Sequence, residues 1–311
     1  MEIDLVYLWV NGNDPVWQAK HDAYTGRVKS AVDINCKGRY ADNEELRYSL
    51  RSVEMNAPWV RHIYIVTDNQ VPAWLDTSSP KVSIVDHRDI LPAECLPCFN
   101  SVIIEYFIYR IPGLAEHFLY ANDDTFINRP ITEADFFSAD GLPIVRLRRK
   151  RFRRLRWFWK TYVCRKPLSN YRATVALAAQ LVNRKYGKYY NAMPHHCMDA
   201  YLKSDYRHVI EEVMRDEVRA NLKNHIRSER DIQRVVFSYI LLAEKRGQLR
   251  YVGESESINV AIHRRSKYEL LDTCRPLFFC LNDSESAGDD DRATAKALME
   301  KRFPRKSQYE K

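Results

Sequence analysis

In Phe118-Leu-Tyr-Ala-Asn-Asp-Asp-Thr125, four apolar or aromatic residues run straight into an Asn and two carboxylates. Phe118 to Ala121 reads as a short buried strand, and Asn122, Asp123 and Asp124 stand where it should end. Adjacent carboxylates there repel each other, and neither is buried cheaply without a partner. A divalent cation is the usual compensation, and Mg²⁺ or Mn²⁺ takes such hard oxygen ligands. Open α/β sheets bind ligands outside the carboxyl ends of their strands. The stretch thus points to a metal-assisted site for a phosphate-bearing substrate. The competing reading is a polar turn, since Asn and Asp are common turn formers.

Upstream, Ile3-Asp-Leu-Val-Tyr-Leu-Trp-Val10 is a β-branched and aromatic run that stops at Asn11-Gly-Asn-Asp-Pro15. This predicts a first strand followed by a loop that presents backbone N–H groups and a carboxylate. The loop is neither a P-loop nor GxGxxG, and a plain βα turn reads equally well. From Asp42 a helix is expected, with Glu45 completing a capping box and Leu46, Leu50 and Val53 forming its buried stripe. Its opposite arc carries Asn43, Arg47 and Arg51, the two arginines spaced to face one anion or to pair with glutamates on a solvated face. Further strands are predicted at 61–67 and 82–85, and a helix at 100–110. Strand and helix alternation implies a parallel sheet with right-handed crossovers.

Downstream, residues 146–160 are almost wholly basic or aromatic. Such a segment suits an anionic membrane surface, a nucleic acid, or a loop that binds an anionic substrate. No recognised nucleic-acid motif accompanies it. A helix is expected over 170–188. Met193-Pro-His-His-Cys-Met-Asp199 puts His195 near a helix start, and Arg227-Ser-Glu-Arg-Asp231 opens an amphipathic helix. Phe278-Phe-Cys-Leu-Asn-Asp283 repeats the form of an apolar strand ending in Asn-Asp, and reads as an edge of the same sheet. Asp289 to Asp291 start a final helix.

The 311 residues, 45% of them hydrophobic, suffice for one large domain with a full core. No apolar run is long enough for a transmembrane helix, and the acidic start does not look like a signal peptide. Seven scattered cysteines form no framework, so reduced thiols and a cytoplasmic setting are expected. Cys95-Leu-Pro-Cys98 has no partner pair and is a weak zinc signal. The net charge of +8 favours an anionic partner.

Together these stretches resemble the Stealth family of hexose-1-phosphate transferases, which includes bacterial capsular polysaccharide phosphotransferases and the catalytic subunit of animal N-acetylglucosamine-1-phosphotransferase. Residues 3–15 look like its first conserved region. Arg39 to Leu75, continuing through Phe99 to Phe137, look like the second, with Asp42-Asn-Glu-Glu-Leu-Arg-Tyr-Ser-Leu-Arg51 the most specific part. Met193-Pro-His195 with Arg227 to Tyr239 resembles the third, and Phe279 to Asp283 with the tail from Phe303 resembles the fourth. The basic and aromatic insert is a departure from the pattern.

The resemblance implies an α/β, Rossmann-like fold with a parallel core sheet, similar to a nucleotide-sugar transferase domain. A single domain over 1–311 with a helical insert at 140–190 is expected. It implies transfer of a sugar 1-phosphate from a UDP-sugar to a glycan hydroxyl with release of UMP, in capsule or cell-surface polysaccharide synthesis. The alternative is a metal-dependent glycosyltransferase that releases UDP. On this reading Asp123, Asp124 and Asp283 hold Mg²⁺ or Mn²⁺. Arg39, Arg47, Arg51 and Arg227 face phosphates, and Asn11, Gly12, Asp14 and Asn43 face the donor. His195 is the general base and Asp231 orients it or meets the acceptor, with Asp124 and Arg227 completing the catalytic set. Peripheral contact with the inner face of an anionic membrane through 146–160 is expected, and no nucleic-acid partner.

Overall fold

The structure, a computed structural model, describes residues 1–26, 42–284 and 286–311, so Arg39 lies outside the described residues. Ten strands occur among the described residues. They are β1 (Ile3–Leu8), β2 (Ile63–Thr67), β3 (Val82–Asp86), β4 (His117–Asn122), β5 (Thr125–Ile127), β6 (Ile144–Leu147), β7 (Asp199–Leu202), β8 (Gln248–Tyr251), β9 (Ser257–Ala261) and β10 (Phe278–Asn282).

β1 is buried almost throughout, as a strand covered on both faces requires. It sits at the centre of a five-stranded sheet of order β3-β2-β1-β4-β7. β1 to β4 are parallel, and β7 closes the far edge antiparallel to β4. The fold is therefore mixed α/β with a parallel core. The chain builds outward from β1 through β2 to β3, then returns to the other side of β1 for β4. That reversal is a topological switch point, where strand ends open a crevice.

Alternation along the strands divides the core. Val6, Val66, Phe118 and Tyr120 belong to one apolar layer, with side chains from the helices Ser101–Tyr106, Asn170–Tyr186 and Val235–Ala243. Leu5, Tyr7, Ile65 and Leu119 belong to the other, where Leu46, Leu50 and Val53 of the Glu45–Asn56 helix meet them. The helix starts at Glu45 rather than Asp42. Glu44 takes a positive φ of 65°, and the Glu45 carboxylate accepts from the Asn43 backbone N–H at 2.7 Å.

A second sheet of order β5-β10-β9 lies beyond, covered by the Asp289–Arg302 helix. β10 is thus the middle of a separate sheet, not an edge of the main one. Its apolar run reports burial but not its partner, which is the three-residue strand β5 that follows the two aspartates. Two further expectations change. His195 lies in an irregular segment that leads into β7, not at a helix start, because Asp199 to Leu202 pair with β4. The helix after Asp231 begins at Val235, and every residue from Val235 to Leu241 is buried, so it is a core helix rather than an amphipathic one.

The basic segment also resolves into parts. Ile144 to Leu147 form β6, which pairs with β8, and Arg146 is buried with its guanidinium over the Phe136 and Phe278 rings. A short helix, Arg153–Phe158, follows and opens into a wider turn over Trp159–Val163. No helix among the described residues is long and apolar enough to cross a membrane.

Candidate active site

Register brings the site together. Leu8 of β1 stands opposite Val66 of β2 on one side and Asn122 of β4 on the other. The chain therefore leaves all three strands at the same edge, and the loops at 11–14, 68–70 and 123–124 share one rim. Asp123 and Asp124 are the two-residue link between β4 and β5, so they sit where the two sheets meet. The Leu281 N–H of β10 donates to the Asp124 carbonyl at 3.1 Å, which brings Asn282 and Asp283 to the same place.

The result is a crowd of carboxylates. Burial pushes Asp123 well above the usual carboxylate range, and Asp124, Glu45 and Asp42 add repulsion. Burial also raises Glu45 to about 7, although Asn43 donates to it. Asp42 is raised by burial as well, while the Glu44 backbone N–H and the Trp9 side chain donate to it. Asp124 Oδ2 accepts from Asn282 Nδ2 at 2.8 Å, but its Oδ1 is buried with no hydrogen-bond partner. Asp283 differs from these. Its charge is matched by Arg292 at 2.8 Å, and Asn43 Nδ2 reaches it at 3.3 Å.

An orphaned buried carboxylate oxygen beside a second carboxyl raised by burial and by its acidic neighbours fits a divalent cation. Among the described residues no three His, Cys, Asp or Glu side chains already form a metal cage. A Mg²⁺ site of one or two carboxylates completed by substrate phosphates does not need one. Asp123 and Asp124 fit that role, and Asp283, already paired, fits it less well.

The first loop is tied by hydrogen bonds to the loop at 68–70 and to the helix that follows it. Gln70 bridges it, accepting from Asn11 N–H at 3.0 Å and donating to the Asn11 carbonyl and the Asp14 carboxylate. Asp14 also caps the Pro15–Thr25 helix through Val16 N–H, and these bonds lower its carboxyl below the usual range. Gly12 accepts from the Gln18 side chain at 2.7 Å.

Arg47 and Arg51 are brought to a different anion. Arg51 holds Glu310 with two nitrogens at 2.7 and 2.8 Å, and its third reaches the Phe303 carbonyl. Arg47 meets the same carboxylate at 2.6 Å. Both are thus committed to the C-terminal tail in this structure.

His195 is buried, and neither ring nitrogen has a hydrogen-bond partner. Burial, reinforced by Arg148, His196 and Arg146, lowers it to about 3, so the imidazole is neutral near pH 7. Asp231 does not orient it. Both Asp231 oxygens are taken by Ser228, Asn100 and Asn224, so this carboxylate organises the turn that carries Arg227. Arg227 bonds the Ser101 hydroxyl and leaves its Nε unpartnered.

Two residues escape a motif-based reading. His196 is lowered by burial, while Asp124 and Asp199 pull its imidazole the other way. It therefore lies in the field of Asp124. Arg234 lies against β4 with 11% of its side chain exposed, its guanidinium 4.1 Å from the centre of the Tyr120 ring. It pairs with Asp199 and with Glu105 at 3.4 Å, and Glu105 accepts from Tyr120, whose hydroxyl lies 3.3 Å from Asn122. A hydrogen-bonded layer thus backs the start of the acidic turn. Its sequence signal is a cation placed immediately before an apolar helix.

Comparison with known proteins bears on this arrangement. Residues 39–145 match the family model of Stealth protein CR2, conserved region 2, and residues 1–29 that of Stealth protein CR1, conserved region 1. The chain is 32% identical over 297 residues to the capsular polysaccharide phosphotransferase fcs1 of Haemophilus influenzae, covering 92% of this chain and 79% of that protein. It is 45% identical over 157 residues to the capsular polysaccharide phosphotransferase cps1A of Actinobacillus pleuropneumoniae, covering 50% of this chain and 43% of that one. Over 142 residues it is 53% identical to the exopolysaccharide phosphotransferase SCO6023 of Streptomyces coelicolor, covering 45% of this chain but 24% of that protein. Two of these three relatives are thus more than twice as long as the part of them that this chain matches. Among solved structures it is similar to the galactosyltransferase LgtC in complex with donor and acceptor sugar analogs, with a TM-score of 0.46 and 11% identity over 97% of this chain and 95% of that one.

The molecule is a mixed α/β protein with an acidic site at the switch point of a parallel sheet. The chain belongs to the Stealth family.

Proposed function

We propose that this chain transfers a sugar 1-phosphate from a UDP-sugar, a UDP-hexose such as UDP-N-acetylglucosamine, to a glycan hydroxyl in capsule or exopolysaccharide synthesis. The observation that carries the proposal is the buried, partnerless Asp124 Oδ1 beside Asp123 at the switch point. Such a site accepts a cation and, through it, a diphosphate. The relatives described above are named as phosphotransferases, which supports the same reading.

In the proposed reaction the acceptor oxygen bonds to the β-phosphorus. The bond from that phosphorus to the bridging oxygen breaks, UMP leaves, and the acceptor proton moves to His195. The sugar keeps its phosphate and ends in a phosphodiester. When bound, Mg²⁺ or Mn²⁺ on Asp123 and Asp124 neutralises diphosphate charge. Arg227 and Arg148 supply positive charge around the transferred group, and Asn11, Gly12, Asp14 and Asn43 hold the donor. Arg47 and Arg51 act by anchoring the tail behind the acid cluster, and Arg39 remains a candidate phosphate clamp. His195, neutral and unpartnered, is free to accept a hydrogen bond; an approaching anion raises its basicity. Asp231 positions Arg227.

The helix after Arg151 is a proposed contact for an anionic membrane surface at the inner face of the cell membrane. Leu155, Phe158, Trp159 and Tyr162 are between 56% and 71% exposed there, among Arg154, Arg156 and Lys160. Apolar side chains with interleaved cations suit the headgroup region.

The test is chromatography of the nucleotide released from UDP-N-acetylglucosamine with a glycan acceptor, without phosphatase. UMP with phosphorus retained in the acceptor is expected. Stoichiometric UDP with none retained overturns the proposal in favour of sugar transfer without phosphate.

A further inference from the structure

A cavity of about 280 Å³ opens between the strand pair β6 and β8 and the segment that leads to His195. Its walls carry Arg149, Lys150 and Arg151 on one side and Tyr189, Tyr190 and Tyr251 on the others, and none of its lining residues is acidic. The site is built by backbone pairing. Leu147 stands opposite Tyr251 across the two strands, and Arg148 and Met193 exchange both N–H···O bonds at 2.9 and 3.0 Å. The Arg154 N–H donates to the Asn191 side chain at 2.9 Å, which fixes the helix end of the rim. The Arg149 guanidinium lies 5.5 Å from the centre of the Tyr251 ring, so charge and aromatic face are presented together.

We infer that this cavity is a subsite for an acceptor glycan that carries phosphodiesters, the class of strand that the proposed reaction makes. The inference rests on the sugar-phosphate reading above and adds the anionic acceptor to it. Three cations at a concave rim match phosphate oxygens. Ring faces offer apolar platforms for the C–H faces of sugars while their hydroxyls stay wet. The cavity also has the right neighbour. Ala192 in its wall is three residues from His195, a chain distance of roughly 11 Å at most. A strand seated there leads toward the base. A bilayer needs a convex exposed surface, which the 153–163 helix offers and this concavity does not. Retention of a phosphodiester strand near the site makes successive additions to one chain possible, and the cavity is where that grip would act.

The test is calorimetric titration of the full chain with a short sugar-phosphodiester oligomer, with the same oligosaccharide lacking phosphate, and with inorganic phosphate. No nucleotide sugar is present, so the outcome does not depend on which nucleotide the enzyme releases. Release of UDP in the separate turnover assay would refute the reaction and leave this binding result standing. The phosphodiester oligomer is expected to bind at least about tenfold more tightly than the phosphate-free one, the scale of a charge-assisted contact. The double variant Arg149→Ala/Tyr251→Ala is expected to lose at least about tenfold, and Tyr251→Phe, which keeps the ring, to bind like the parent. Thermal melts verify folding, and Arg151→Glu at an exposed position gives a second loss if the double variant melts early. Equal binding by the parent and the folded Arg149→Ala/Tyr251→Ala or Arg151→Glu variant overturns the subsite. So does equal binding of the two oligomers, or inorganic phosphate binding as tightly as the strand.

Discussion

Replacing Glu310 by Gln separates scaffold from substrate contacts. Glu310 has no exposed side-chain surface, and it accepts from Arg51 twice, from Arg47, and from the Ser307 N–H at 2.9 Å. Burial by itself would raise this carboxyl, but the Arg51 bonds, then Ser307 and Arg47, bring it to about 2. Against an ordinary value near 4.3, that is roughly 3 kcal/mol of stability. Gln keeps the shape and loses the charge, leaving the buried Arg51 uncompensated. Removing one partner of a buried pair costs about 3–5 kcal/mol, so the two routes agree. The sign with pH is fixed: a carboxyl lowered in the folded state stabilises fully above its unfolded value and loses that contribution as pH falls through about 2. Urea unfolding of the parent and Glu310→Gln at neutral pH should differ by about 3 kcal/mol, and the gap should close toward pH 2. A neutral-pH difference under about 0.5 kcal/mol, or a gap that does not shrink in acid, refutes the reasoning. Activity adds a second readout. If Arg47 and Arg51 bind donor phosphates, freeing them lowers the donor KM; if they anchor the tail, turnover follows stability alone.

Asp124→Asn should lower kcat by at least ~10²-fold, and EDTA should abolish turnover until Mg²⁺ or Mn²⁺ is restored; full turnover by stripped protein removes the metal from the scheme. His195→Ala should cost about 10²–10⁴-fold in kcat with donor binding retained, and near-parental rates across pH 6–8 would make this histidine structural. Arg234→Met leaves Glu105 and Asp199 without their shared cation and should destabilise by roughly 3–5 kcal/mol in urea, whereas an unchanged midpoint would remove the buried layer as a support. Anionic vesicles should sediment the protein in low salt, and Leu155→Glu with Trp159→Glu should release it; equal binding to neutral vesicles counts against the membrane contact.

The parallel core was legible because each of its strands is a local apolar run closed by polar turn residues. Ile3 to Leu8 and Phe118 to Ala121 needed no long-range information. β5 was not legible: three residues carry no periodicity, and their partner lies about 150 positions later in the chain. The role of Arg47 and Arg51 was open on helix spacing alone. Their spacing does match one anion, but that anion is Glu310 at the far end of the sequence, and spacing cannot tell a carboxylate from a phosphate. Residues 146–160 misled for the opposite reason. Composition averaged over the segment hid the break between β6, whose Arg146 is buried under aromatic rings, and the exposed helix that follows.

The acid cluster sets stability against function. Asp42, Glu45, Asp123 and Asp124 are gathered from two chain segments, the start of the Glu45–Asn56 helix and the link between β4 and β5. Replacing such a set with neutral side chains of similar size is the stabilising choice wherever no cation is bound, because each buried carboxylate costs hydration and repels the next. The chain instead spends hydrogen bonds on keeping them in place: Asn43 on Glu45 and Asp283, Asn282 on Asp124, Trp9 on Asp42. Those donors hold positions without neutralising charge. A bound divalent cation changes the balance, since it favours the ionised forms that burial opposes, and its binding must displace the protons that the raised carboxyls hold. Metal affinity should therefore rise with pH through about 7, where Glu45 titrates in the metal-free protein. On the proposed function, a donor diphosphate would be drawn to a bound cation rather than repelled by the bare carboxylates, so donor and metal affinities should rise together.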